Sequence, residues 1–189
     1  MDMPPPHTKK EVRGFLGRLQ YISHFICQLT DVCEPIFKLL RKNQPKGWNE
    51  QCQAAFEKIK EYLQSPPVLA PPIPGRLLLL YLLVSNVALG SMLAQYDDHG
   101  KERAIYYLSK KMLDYELKYT AIEKTCLALV WATEKLKHYV SIYSVWLISR
   151  MDPIKYLFEK PALVRKMSRW SFSIAPYNIK FVAQKSIKG

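Results

Sequence analysis

No CxxC pair occurs in this 189-residue chain, and none of its four histidines pairs with a cysteine at zinc-ligand spacing. Cys27, Cys33, Cys52 and Cys126 therefore point away from a disulfide framework or a zinc site and toward a reducing compartment. Long apolar runs are missing too. The longest, the eight residues Leu77–Val84, falls far short of the roughly 20 needed to cross a bilayer. The start, Met1-Asp-Met-Pro-Pro-Pro6, has no basic region leading into an apolar one, so no secretory signal is expected. The expectation is an intracellular protein, cytoplasmic or nuclear, with no membrane partner. Acidic residues are scarce: 16 Asp and Glu face 28 Lys and Arg, a formal charge of +12. Half of that excess, +6, lies in residues 151–189. A basic surface concentrates polyanions such as nucleic acid, although it also serves plain solubility. With 49% hydrophobic residues the chain can build a core, which excludes disorder as its general state.

What is present is ordered by hydrophobic period. Thr8-Lys-Lys-Glu11 fits a capping box, and Val12, Phe15, Leu16, Leu19, Ile22 and Ile26 follow at the spacing of an amphipathic helix. A short second helix is expected over Asp31–Leu40 with Pro35 near its start, a turn at 43–47, and a third helix capped by Asn49. Residues 65–75 hold five prolines in eleven positions, which suits neither a helix interior nor a central strand. They read as a linker between a helical part, 1–64, and a second domain, 76–189. In that domain Leu77–Val84 predicts a strand buried on both faces. Further strands are expected over 88–95, 104–108, 145–148 and 178–184. A long helix is predicted over 114–139, with shorter ones at 153–159 and 165–174. No internal repeat is visible. The order βββαβαβ predicts an α/β fold, a mixed five-stranded sheet flanked by helices of the ribonuclease H-like kind.

Several spaced segments carry a resemblance. Glu11–Ile22, Pro35–Leu40 and Trp48–Phe56 resemble the thumb region in reverse transcriptases of gypsy-type LTR retrotransposons. Ser65-Pro-Pro-Val-Leu69 looks like that family's link to its ribonuclease H domain. The likeness continues through Ala104–Lys111, Tyr119–Ala132 and Ile148–Tyr156, and plant elements of the group are the most similar. The resemblance implies a polyprotein part whose family acts as RNA-directed DNA polymerase and ribonuclease H. The polymerase fingers and palm, with their Tyr-x-Asp-Asp motif, would be partners upstream; Gln95-Tyr-Asp-Asp98 lacks the spacer residue.

In that family, ribonuclease H chemistry uses carboxylates converging on two Mg²⁺ ions. An ungapped alignment places Leu83 at the first Asp, Thr125 at the helix Glu and Arg150 at the next Asp; the chain ends at Gly189, before the fourth. None of the three is a Mg²⁺ ligand of the required kind, and Arg150 adds a cation that cannot be deprotonated. Nearby, Glu123 reads as a solvated helix residue and Asp152 as an N-cap. No catalytic residue and no cofactor are therefore expected, Mg²⁺ being implied only if a shifted nuclease site exists. The basic C-terminal part, with Lys155, Lys160, Arg165, Lys166, Arg169, Lys180, Lys185 and Lys188 joined by Arg150, is the candidate track for an RNA–DNA hybrid or template–primer. Tyr156, Phe158, Trp170, Phe172, Tyr177 and Phe181, interleaved with it, read mostly as core, as does Cys126. The four isolated histidines carry no catalytic motif. Three functions compete: a non-catalytic connection-like domain that positions hybrid, an active metal-dependent nuclease, and a non-functional transposon remnant.

Overall fold

A computed structural model describes residues 4–6, 8–21, 29–40, 47–64, 68–159 and 165–183. Ile22, Ile26, His7, His24, Cys27, Lys160, Lys185, Lys188 and most of the expected turn at 43–47 lie outside them. The chain divides into two compact units, Met1–Val68 and Leu69–Gly189, with the division inside the proline-rich stretch.

The first unit packs α1 (Lys9–Tyr21), α2 (Leu29–Lys38) and α3 (Glu50–Gln64) around one core. The capping box forms as expected. Thr8 N–H donates to Glu11 Oε2 at 3.1 Å, and Glu11 N–H to Thr8 Oγ1 at 3.2 Å. Asn49 caps α3 through a 2.9 Å bond from Cys52 N–H. The apolar stripe of α1, from Val12 to Leu19, meets Cys33 and Ile36 of α2 and Phe56 and Ile59 of α3. Pro35 is not near the start of α2 but well inside it. Burial of Leu29, Cys33 and Ile36 on one face outweighs the lost backbone donor, since packing rather than propensity holds most helices in proteins.

The second unit is a five-stranded sheet in the order β3-β2-β1-β4-β5, made of β1 (Leu78–Val84), β2 (Ala88–Tyr96), β3 (Glu102–Lys111), β4 (Val145–Ser149) and β5 (Ile179–Ala183). The meander β1–β2–β3 is antiparallel; β4 and β5 add in parallel. This is the expected mixed sheet. Its helices are α4 (Ala121–Lys135), α5 (Lys137–Val140), α6 (Pro153–Glu159) and α7 (Arg165–Ile174). Leu78, Leu80 and Leu82 share a core with Leu89, Leu93, Leu129, Leu147 and Leu157. Only the first half of β1 is buried on both faces: Leu79 is also buried, whereas Leu83 is 45% exposed.

The long helix predicted over 114–139 is broken. A 3₁₀ turn, Glu116–Lys118, is followed by extended Tyr119, and α4 begins only after Thr120. The sequence signal was there. Thr120-x-x-Glu123 is a second capping box, with Thr120 N–H donating to Glu123 Oε2 at 2.8 Å and Glu123 N–H to Thr120 Oγ1 at 3.4 Å. The later prolines of the 65–75 stretch are held on the sheet. Buried Gln95 accepts from Ile73 N–H at 2.6 Å and donates to the carbonyls of Ile73 and Arg76, while Ala70 N–H donates to Ala104.

Candidate nucleic-acid interface

The three positions aligned with metal ligands sit as follows. Leu83 is at the C-terminal end of β1 and Arg150, exposed, directly after β4, the neighbouring parallel strand. Thr125 is buried in the second turn of α4, its hydroxyl donating to the Ala121 carbonyl at 2.9 Å. Mg²⁺ takes hard oxygen ligands in octahedral array. An exposed leucine, a hydroxyl already spent on its own helix and a guanidinium do not fit it. The neighbouring acids are engaged as well. Asp152 Oδ1 caps α6 by accepting from Lys155 N–H at 2.9 Å. Glu123 is not simply solvated: its carboxylate holds the Thr120 cap and pairs with Lys166 Nζ at 3.3 Å. Hydrogen bonds from Thr120 and the charge of Lys166 hold its carboxyl below the ordinary range. Among the described residues no three His, Cys, Asp or Glu side chains gather into a group that could hold a metal ion.

The basic residues behave unequally. Arg150 and Arg169 are exposed and pair with no acid among the described residues. Lys155 is exposed and spans 3.7 Å to Glu159 one turn along α6, a solvated pair that constrains it little. Lys166 is clamped rather than free. Besides Glu123, its Nζ lies 3.6 Å from the centroid of the Tyr119 ring and 5.1 Å from that of Trp170. Arg165 opens α7, and Lys185 falls outside the described residues. Of the interleaved aromatics, Tyr156, Trp170, Tyr177 and Phe181 pack on the core, but Phe158 and Phe172 are exposed.

The sequence marks Gly14 and Gly17 as costly inside the first helix, open to close packing or to nucleic-acid approach, but does not single out the cationic face around them. On α1 the apolar stripe turns inward, which leaves Lys10, Arg13, Gly14, Gly17 and Arg18 together on the solvent side. A Cβ at either glycine would meet nothing within 4 Å, so the fold itself does not require them. Glycine inside a helix costs about 1 kcal/mol relative to alanine.

A model of the family described as "RNase H-like domain found in reverse transcriptase" matches residues 48–146, just over half of the chain. The chain belongs to that family. It is 32% identical over 178 residues to a retrovirus-related Pol polyprotein from transposon 297 of Drosophila melanogaster, a match covering 94% of this chain and 16% of the polyprotein. It is 29% identical over 186 residues to the transposon Tf2-3 polyprotein of Schizosaccharomyces pombe, covering 93% and 13%. The chain thus spans less than a fifth of these relatives. Among solved structures, a foamy viral protease–reverse transcriptase in complex with RNA/DNA hybrid matches with a TM-score of 0.77 at 20% identity, over 98% of this chain and 26% of that one. A second, in complex with double-stranded DNA, matches with a TM-score of 0.76 at 19% identity, over 100% and 34%. These likenesses establish the ribonuclease H-like fold with its N-terminal helical part.

Proposed function

We propose that this chain is a non-cleaving, connection-like part of a gypsy-type, plant-like retrotransposon reverse transcriptase, and that it binds and positions RNA–DNA hybrid for catalytic centres elsewhere in its polyprotein. The observation that carries this reading is the state of the three aligned positions. Leu83 is apolar and half-exposed, the Thr125 hydroxyl is satisfied within its helix, and Arg150 stands exposed with no acidic partner among the described residues. A two-metal site needs carboxylates there, whereas an exposed guanidinium suits a phosphate. Each unit by itself carries positive charge suited to a nucleic-acid backbone: exposed Arg150, Lys155 and Arg169 in the second, and the glycine-bearing face of α1 in the first. Glycines on a cationic helix face let a sugar–phosphate backbone approach closely.

The test is one labelled RNA–DNA hybrid, titrated with the full chain in Mg²⁺ and in EDTA across a salt series. Expected is binding that weakens steeply with salt and persists in EDTA, with no cleavage in either buffer. In the same assay Gly14→Ala should raise the unfolding midpoint, by about 1 kcal/mol of stability, yet weaken binding. Metal-dependent cleavage would sink the non-catalytic reading; absence of binding would favour an inert transposon remnant.

A further inference from the structure

The clamp around Lys166 forms one wall of a cleft that shares Arg169 with the hybrid reading and is otherwise not used by it. The cleft, about 540 Å³, lies between β3, α4 and α7. Lys110 lines it from the sheet, Trp131 and Glu134 from α4, and Lys166, Arg169 and Trp170 from α7. The volume falls within the roughly 300–1,000 Å³ of small-ligand sites.

Its walls are built, not incidental. Lys110 Nζ is held at 2.9 Å by Glu116, which is buried and also accepts from Leu113 N–H at 2.7 Å. Lys166 is held by Glu123 and lies against the Trp170 ring, whose edge meets Tyr119 at 6.1 Å between centroids. The donors facing the cleft are left over. Neither indole N–H, of Trp131 or of Trp170, donates to a protein acceptor among the described residues, and Arg169 has no acidic partner there. Two half-buried indoles supply flat apolar surface. Lys110 and Lys166 are already paired with Glu116 and Glu123, so Arg169 is the lining cation left to meet an anion.

That combination selects a ligand that is flat and anionic. We propose that this cleft is a subsite for an unpaired nucleotide of single-stranded nucleic acid, its base stacked on an indole and its phosphate on Arg169. The proposal rests on the nucleic-acid reading above but adds a different substrate form, since a base inside a duplex has no face to offer. Stacking of bases on aromatic side chains tolerates every sequence, and cations beside the ring hold the backbone.

The experiment compares the full chain's affinity for a blunt RNA–DNA hybrid and for the same hybrid with a short single-stranded extension, alongside tryptophan quenching by oligothymidylate. The extension should tighten binding about 5-fold or more, and the oligonucleotide should quench indole emission. Arg169→Glu and Trp131→Leu should each bring the ratio of the two affinities to about one, while thermal melting reports that each variant is folded. If Trp131→Leu fails to fold, exposed Arg169 still decides the matter. Blunt and extended hybrids binding equally would overturn the subsite and leave the hybrid reading standing. Oligothymidylate binding without any hybrid binding would keep the subsite and remove the hybrid reading. An acidic peptide that displaces oligothymidylate and quenches more strongly would overturn the proposal in favour of a protein ligand.

Discussion

At the scale of single residues, burial decides chemistry that composition leaves open. Cys33 and Cys126 are fully buried, and desolvation pushes each thiol up to about 12. Both are therefore protonated at neutral pH and act as small apolar groups, Cys126 tying α4 to α6 by donating to the Pro153 carbonyl at 3.7 Å. Folded protein at pH 8 should label with a thiol reagent at these two positions far more slowly than protein unfolded in urea, as mass spectrometry of the labelled peptides would reveal; equal rates would mean the core opens readily. Glu116 makes the same point. Its sequence neighbours, Asp114, Tyr115, Leu117 and Lys118, are all exposed, so nothing local foretold that a glutamate would lie buried against Lys110.

At the scale of the element, the N-terminus of α4 shows how one motif serves two ends. The Thr120–Glu123 box stops the 3₁₀ turn from running into the helix, and the same carboxylate reaches across to Lys166 on α7. Thr120→Ala should cost about 1 kcal/mol in urea unfolding. The pH dependence has a defined sign. The Glu123 carboxyl is held below its unfolded value, which lies near 4.3, so the charged form is the one that folding favours. Its stabilisation is present above that unfolded value and is lost as pH falls through the folded one. The stability gap between wild type and Glu123→Gln should therefore be widest at neutral pH and narrow as the medium is acidified below the unfolded value; a gap that does not change with pH would remove this role. Periodicity had predicted one long helix over this stretch because apolar residues recur throughout it. The break was legible only as a capping signal, which the apolar pattern masked.

At the scale of the whole molecule, function follows from what several elements bring to one place. On the proposed alignment, a two-metal centre would need acids from β1, α4 and the end of β4 at once. Restoring one of them should do nothing. Leu83→Asp, purified and tested on labelled hybrid with Mg²⁺ or Mn²⁺, should cleave no faster than wild type, because Thr125 and Arg150 still stand at the other two positions. Cleavage by this single variant would mean that other acids complete the site and that the alignment at those positions is wrong.

Much of this was determined by the amino-acid sequence alone. The five strands and the capped start of α1 follow from local period and capping chemistry. So do the charge excess in residues 151–189 and the non-acidic residues at 83, 125 and 150. Those are properties of near neighbours in the chain. Tertiary structure alone decided the rest. It kept Pro35 inside a helix, fastened the stretch after residue 69 to the sheet through Gln95, and set Lys166 against a carboxylate 43 positions away. It also assembled Lys110, Trp131 and Arg169 into one cleft. The physical reason is the same in each case. The stabilising partner is remote in sequence, and burial next to it outweighs the local preference of the residue concerned.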